Sequence, residues 1–197
     1  MSFETIAAEK AALRRIMRAR RAALSPEARA TSSRAVRDQL TAWLTSTPLA
    51  RESVISGYWP IHDELDPRPA LQAFAERGHP LALPVSVARG EPLAFHAWKL
   101  GDPLASDIMR IEAPLASTPD VVPALVLVPM LAFDREYRRL GYGAGFYDRT
   151  LATLRATGAT IAVGLAFSVQ EVEHVPVDEA DAPLDAVITE SGLVLPE

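Results

Sequence analysis

Wound at about 100° per residue, the segment from Phe3 to Leu24 places Ile6, Leu13, Met17 and Leu24 on one narrow stripe. Lys10, Arg14, Arg18 and Arg21 form a second stripe immediately beside it. The pattern predicts a first helix with a basic edge along its apolar face. Ser25-Pro26 then offers an N-cap and a proline at the first helical position. A second helix is expected from there, with Val36, Leu40, Trp43 and Leu44 as its buried face and an end near Pro48.

Beyond Pro48 the periods shorten. Val54 to Trp59 reads as a strand stopped by Pro60, Pro69 to Arg77 as a short helix, and Leu81 to Val85 as a further strand. Leu93 to Trp98 alternates as a half-exposed strand would, and the proline-rich stretch from Gly101 to Pro123 is expected to be irregular. Leu125-Val126-Leu127-Val128 is apolar on both faces, which suits a central parallel strand covered by helices. A helix from Phe146 to Leu154 and strands at Ile161–Ala166 and Ala186–Thr189 complete the series. This alternation predicts an α/β fold: a doubly wound, mostly parallel sheet with helices on both faces, preceded by the two N-terminal helices. One domain over residues 1–197 accommodates it.

Composition narrows the functional classes. With 49% hydrophobic residues the chain has material for a core, and no run of about 18 apolar residues would span a membrane. The start, MSFETIAAEKAALRR, lacks the charged and apolar regions of a signal peptide. There is no cysteine, which excludes a disulfide framework and a thiolate nucleophile. A cytoplasmic protein is expected. The formal charge of −5 argues against a nucleic-acid partner, and the four scattered histidines show no metal-ligand spacing.

The candidate chemistry lies in RLGYGAGFYD, Arg139 to Asp148. Gly141, Gly143 and Gly145 stand within five residues, a short loop after the most apolar strand and directly before a helix. Glycines let a backbone approach an anion, and the helix that follows points free N–H groups at it. Arg139 at the entrance suits a bidentate phosphate contact. Neither the GxxxxGK[ST] loop nor the dinucleotide GxGxxG spacing is satisfied. A tight strand–helix turn without a ligand stays open on this evidence.

With its flanks, VPMLAFDREYRRLGYGAGFYDRTL (Val128–Leu151) resembles the signature of the 5-formyltetrahydrofolate cyclo-ligase family, also called 5,10-methenyltetrahydrofolate synthetases. GYWPIHDELDPRPAL (Gly57–Leu71), the Lys10-x-x-x-Arg14 opening, LALPV with Phe95-x-x-Trp98, Ile111-Glu112-Ala113-Pro114 and the tail VPVDEADAPLDAVIT follow in the family's order. Four positions depart from its pattern. Ala144 stands where glycine or lysine is frequent, Phe146 where tyrosine is usual, Tyr137 where a turn glycine is common, and Ala180 where histidine is frequent.

The resemblance implies ATP-dependent cyclisation of 5-formyltetrahydrofolate, with or without a polyglutamate tail, to 5,10-methenyltetrahydrofolate, ADP and phosphate through a phosphorylated formyl group. It implies ATP and Mg2+ as cofactors; a monomer with no nucleic-acid or membrane partner is expected. Lys10, Arg14, Arg139, Leu140, Gly141, Tyr142, Gly143, Ala144, Gly145, Phe146 and Tyr147 would hold the nucleotide, with Lys10 and Arg139 taking part in catalysis. Trp59, Glu64, Phe146 and Tyr147 would meet the folate, and Asp148 and Asp181 the magnesium. Arg18 and Arg21 are expected to remain a solvated basic face. Two other readings compete: a non-catalytic nucleotide or folate sensor, and a relative of sugar-phosphate isomerases or coenzyme A transferases with the same general architecture.

Overall fold

A computed structural model describes residues 3–196, so residues 1, 2 and 197 of the expected domain lie outside the described residues. The first stripe folds as α1 (Phe3–Ala22). The Ser25 hydroxyl accepts from the Ala28 amide at 3.1 Å and starts α2 (Pro26–Ser46), as the Ser-Pro pair predicts. There follow β1 (Ile55–Ser56), α3 (Arg68–Glu76), β2 (Leu81–Val85), β3 (Ala94–Trp98), β4 (Leu104–Ser106), β5 (Glu112–Pro114) and β6 (Leu125–Pro129). The chain continues through β7 (Ala132–Phe133), β8 (Arg139–Leu140), α4 (Phe146–Thr157), β9 (Ile161–Leu165), a 3-10 turn at Ser168–Gln170, β10 (Ala186–Thr189) and β11 (Gly192–Leu193).

Seven strands form one sheet in the order β11-β10-β9-β6-β1-β2-β3. The five inner strands are parallel, with Ile55 registered between Leu81 and Leu125. The edges β3 and β11 run antiparallel to their neighbours. One face carries Ile55, Leu83, Leu125, Leu127, Val163 and Ile188 against Val36 and Leu40 of α2 and Leu71 and Phe74 of α3. The other carries Ala82, Val126, Val128, Ala162 and Val187 against Leu151 and Leu154 of α4. Both faces are therefore buried, which is why Leu125–Val128 shows no alternation. Each large apolar side chain so buried is worth about 1.5–3 kcal/mol, far more than the helix propensity of α2.

Helix α1 follows a different rule and packs on neither face. Met17 joins Leu131, Ala132, Leu140 and Val175 in a separate cluster on the β7–β8 hairpin and the tail. Arg20 donates to the carbonyls of Val169 and Glu171 at the helix end.

Two segments differ from the sequence expectation. The stretch after Gly101 is not wholly irregular, because β4 and β5 pair antiparallel with Leu104 opposite Pro114. Asp107 organises their connection, accepting from Met109 and Ile111 amides through Oδ1 and from the Ser86 amide through Oδ2. Its prolines lie at strand ends, where no ladder hydrogen bond is lost. The second difference is the β7–β8 hairpin, which separates β6 from the glycine turn.

That hairpin turns on Asp134, only 1% exposed. Its carboxylate accepts from the amides of Glu136, Arg138 and Val175 and from Arg138 Nε at 2.6 Å. Tyr137 takes a left-handed φ of 61° here, which accounts for the glycine otherwise common at this position. The Tyr137 hydroxyl donates to the Val194 carbonyl at 2.8 Å, and its ring packs in the second core cluster, holding the unfavourable backbone in place. Replacing Asp134 with alanine leaves Arg138 with Glu136 alone and strands three amides. Asp134→Ala is expected to lower unfolding free energy by about 3 kcal/mol, from about 1–3 kcal/mol for each unsatisfied buried group, visible as a lower urea midpoint; an unchanged midpoint would show that the turn holds without it.

Candidate active site

The carboxyl ends of β1, β2 and β6 open into one cleft of about 520 Å³. Tyr58 and Trp59 enter it just past β1, Pro84 and Ser86 at the end of β2, and Pro129 at the end of β6. An open α/β sheet binds its ligands at this edge, because the helices that follow the strands direct their N-termini there. The β4–β5 hairpin adds Met109 and Ile111 along one side, and α1 adds Lys10 and Arg14 along another.

The glycine turn forms one end. Gly143 has φ 101°, and a Cβ there would stand 3.2 Å from the guanidinium carbon of Arg14. Gly145 has φ 67° and caps α4 without a side-chain hydrogen bond, so the first-turn amides of α4 face the cleft uncapped. Arg14 Nε donates to the Gly141 carbonyl at 2.9 Å. Arg149, which the sequence did not single out, folds back to the Ala144 carbonyl at 2.7 Å and stacks on Phe146, with its guanidinium 5.7 Å from the ring centre. Leu140 is buried beneath the turn, whereas Tyr142, Ala144, Phe146 and Tyr147 lie along the cleft.

The cations in this end are not idle. Lys10 is buried at 8% exposure and donates to Asp178 at 2.8 Å and Asp181 at 2.5 Å. Burial disfavours its charge, yet hydrogen bonds to the two carboxylates outweigh that and raise its pKa. The hydrogen bond from Lys10, with help from the Ala180 amide, lowers that of Asp178. Arg139, 6% exposed, donates to Asp148 Oδ1 at 2.6 Å and to the Ala182 carbonyl. Asp148 Oδ1 also accepts the Ala182 amide at 3.2 Å. The tail segment Asp178–Ala182 thus brings Asp148 and Asp181, distant in sequence, to the same region of the cleft. Among the described residues there is no cluster of three or more His, Cys, Asp or Glu arranged to hold a metal ion.

Trp59, Phe146, Tyr147 and Glu64 also line the cleft, and Glu64 is 8% exposed. Glu64 accepts from the Ile61 amide at 2.9 Å. Burial raises its pKa, against the opposing pull of the Ile61 amide, the Arg21 charge and the Tyr142 hydroxyl. Burial first, and then the Glu64 charge, push the Tyr147 hydroxyl up as well. The Trp59 ring is fixed by Arg68, 4.8 Å from its centre, and by the edge of Trp98.

Arg21 corrects the expectation of a solvated basic face. It is 2% exposed and donates to the Tyr142 hydroxyl at 2.5 Å. The reason is helical spacing. Lys10, Arg14, Met17 and Arg21 fall on one face of α1, and Met17 is fully buried, so the last arginine is carried beneath the glycine turn. Arg18 does remain exposed, with its guanidinium 5.5 Å from the Tyr142 ring centre. The same spacing rule could have found Arg21; Arg149 and Asp178 carried no comparable signal.

No helix among the described residues is long and apolar enough to cross a membrane. The model of the 5-formyltetrahydrofolate cyclo-ligase family matches residues 6–190. The 5-formyltetrahydrofolate cyclo-ligase of Escherichia coli K12 is 32% identical over 182 residues, covering 89% of this chain and 97% of that protein. The protein of the same name from Mycolicibacterium smegmatis is 32% identical over 165 residues, covering 77% and 80% respectively. Among solved structures, the 5,10-methenyltetrahydrofolate synthetase of Aquifex aeolicus superposes with a TM-score of 0.71 at 29% identity, covering 93% of this chain and 91% of that one. The synthetase of Mycoplasma pneumoniae shares the fold with a TM-score of 0.73 at 24% identity, over 92% and 98%. With the family model spanning nearly the whole length, the chain belongs to the 5-formyltetrahydrofolate cyclo-ligase family.

Proposed function

We propose that this cleft converts 5-formyltetrahydrofolate and MgATP into 5,10-methenyltetrahydrofolate, ADP and phosphate, in a cytoplasmic, monomeric enzyme. One observation carries the reading. One cleft is lined by a glycine turn with its cations and by a buried carboxylate with aromatic rings. The first suits phosphates and the second a pterin with its N–H donors.

The chemistry needs both together. A formamide oxygen is a poor leaving group, so the γ-phosphoryl group passes from ATP to that oxygen and ADP departs. The N10 lone pair then attacks the formyl carbon, the carbon–oxygen bond breaks, phosphate leaves and N10 loses its proton. Positioning and charge neutralisation dominate such a transfer. In this reading the amides of Gly141–Gly145, Lys10, Arg14 and Arg139 receive the phosphates. Glu64 accepts from pterin N–H groups between Trp59, Phe146 and Tyr147.

The cleft also suits a divalent cation. Its lining includes six carboxylates, Glu64, Asp107, Glu112, Asp148, Asp178 and Asp181, against the four cations Lys10, Arg14, Arg139 and Arg149. A triphosphate would add further negative charge. Magnesium prefers such hard oxygens and commonly uses only one or two protein carboxylates. Asp148 and Asp181 would hold it, and its charge would neutralise the phosphate oxygens. With Asp181 engaged by the ion, Lys10 would be released toward phosphate.

Purified protein given ATP, magnesium and 5-formyltetrahydrofolate is expected to release ADP only when the folate is present, with the absorbance of a methenyl product. Binding of both ligands without turnover would instead favour the sensor. Lys10→Ala is expected to lower kcat/KM for ATP on the order of 10²-fold, and full efficiency would remove Lys10 from the nucleotide site. Glu64→Gln should raise KM for the folate more than KM for ATP; equal effects would contradict a folate-facing carboxylate. Asp148→Asn and Asp181→Asn should each raise the magnesium concentration needed for half-maximal rate. Their double variant should cost less than the sum, since both would serve one ion, and strictly additive losses would separate them.

A further inference from the structure

Arg21 is the one fully buried arginine of α1 and lies behind the cleft rather than in its wall. A guanidinium has five donors in a rigid fork. Here one short hydrogen bond, 2.5 Å to the Tyr142 hydroxyl, is joined by two long contacts at 3.4 Å, from Nε to Asp63 Oδ2 and from NH1 to the Met130 carbonyl. The Tyr142 ring is flanked by two cations, with the guanidinium carbon of Arg18 at 5.5 Å from its centre and that of Arg21 at 5.6 Å. Tyr142 belongs to the glycine turn, between Gly141 and Gly143, and lines the cleft together with Glu64.

We propose that Arg21 is a positioning residue that acts through Tyr142 on Glu64, so that one buried cation fixes both the glycine turn and the carboxylate facing the folate. The direction of the hydrogen bonds follows from the groups. Arginine can only donate, so the Tyr142 oxygen accepts from Arg21 and its O–H is left to donate toward the Glu64 carboxylate. Such a chain holds a tyrosine at a set place in a turn whose glycines otherwise allow it to move. It also favours the ionised form of Glu64, which is the form that accepts from a pterin.

The groups facing Glu64 come from three elements besides its own loop. Three lie elsewhere, Arg21 on α1, Tyr142 in the turn and Tyr147 on α4, while Tyr58 and Asp63 precede Glu64 in its own loop. Burial raises the Glu64 pKa and Asp63 adds to the rise; Arg21 and the Tyr142 hydroxyl oppose them. Removing either opposing group therefore raises it further. The ionised carboxylate then persists only to a higher pH, and kcat/KM for the folate falls earlier as pH is lowered.

The proposal rests on the reading of Glu64 as the folate-facing carboxylate, and the experiment separates the two. Arg21→Met, Arg21→Lys and Tyr142→Phe are compared with the parent protein and with Arg15→Ala, an exposed arginine of the same helix expected to change nothing. Two quantities are followed: the acid limb of kcat/KM for 5-formyltetrahydrofolate, and the Glu64 carboxyl resonance in protein labelled with 13C-glutamate, assigned with Glu64→Gln. Arg21→Met is expected to move both to higher pH by about one unit or more. Tyr142→Phe should move them in the same direction, and Arg21→Lys should restore most of the parent value. Should Arg21→Met not fold, Tyr142→Phe and Arg21→Lys carry the test alone. An unmoved carboxyl resonance in Tyr142→Phe overturns the proposal, whatever the activity. A resonance that moves while Glu64→Gln leaves folate kinetics unchanged retains the Arg21–Tyr142–Glu64 linkage but removes Glu64 from the folate site.

Discussion

Arg139 is the tie on which the cleft depends. Its guanidinium is almost wholly buried, yet it belongs to a two-residue strand with little structure of its own. It reaches the Asp148 carboxylate in the first turn of α4 and the Ala182 carbonyl in the tail. Three segments that share no sheet ladder are thereby held together: the hairpin before the glycine turn, the helix after it, and the strap that carries Asp178 and Asp181. A glycine turn alone would be loose, since Gly143 and Gly145 occupy conformations open mainly to glycine. Anchoring both of its ends to one buried cation lets the turn keep its amides exposed without wandering.

The same placement explains why α1 differs from the other helices. A helix covering a sheet face needs a broad apolar stripe, and α2 supplies Val36, Leu40 and Leu44. On its buried line α1 supplies Met17 flanked by Lys10, Arg14 and Arg21, so it cannot be buried against a leucine-rich surface without stranding charge. It is stable where carbonyls, carboxylates and a tyrosine hydroxyl meet those cations. That place is the carboxyl edge of the sheet.

Much of this was legible in the residues. The Ser25-Pro26 start of α2, the strand at Leu81–Val85 and the doubly covered strand at Leu125 follow from local rules that tertiary packing did not override. The glycine turn was legible because three glycines before a helix have few structural explanations. What escaped was non-local. The β7–β8 hairpin has strands of two residues, too short for any period, and is set by the Asp134 carboxylate reaching Val175 far along the chain. The edge direction of β3 depends on its pairing with β2 and cannot be read from its alternation. Arg21 was misread because five arginines and a lysine crowd one helix, and charge argues for solvent until the partner beneath the turn is known. Asp178 gave no signal at all, being one of several acids in an acidic tail.

The phosphate and folate sites have to be joined mechanically if the proposed reaction is to run. Phosphoryl transfer to a formyl oxygen requires the donor phosphate and the acceptor oxygen to be in line, and a misplacement of about 1 Å can cost on the order of 10² in rate. Phosphates would be located by the turn and the folate by the loop that carries Glu64, two segments separated by some eighty residues. If each moved independently, their relative error would be the sum of both motions. In the proposed arrangement Tyr142 removes that freedom, because it is part of the turn and its hydroxyl, held by Arg21, serves Glu64 in the same cleft. A helix from the beginning of the chain thus sets the distance between two sites built from its middle, and it can do so only because its last buried side chain is charged.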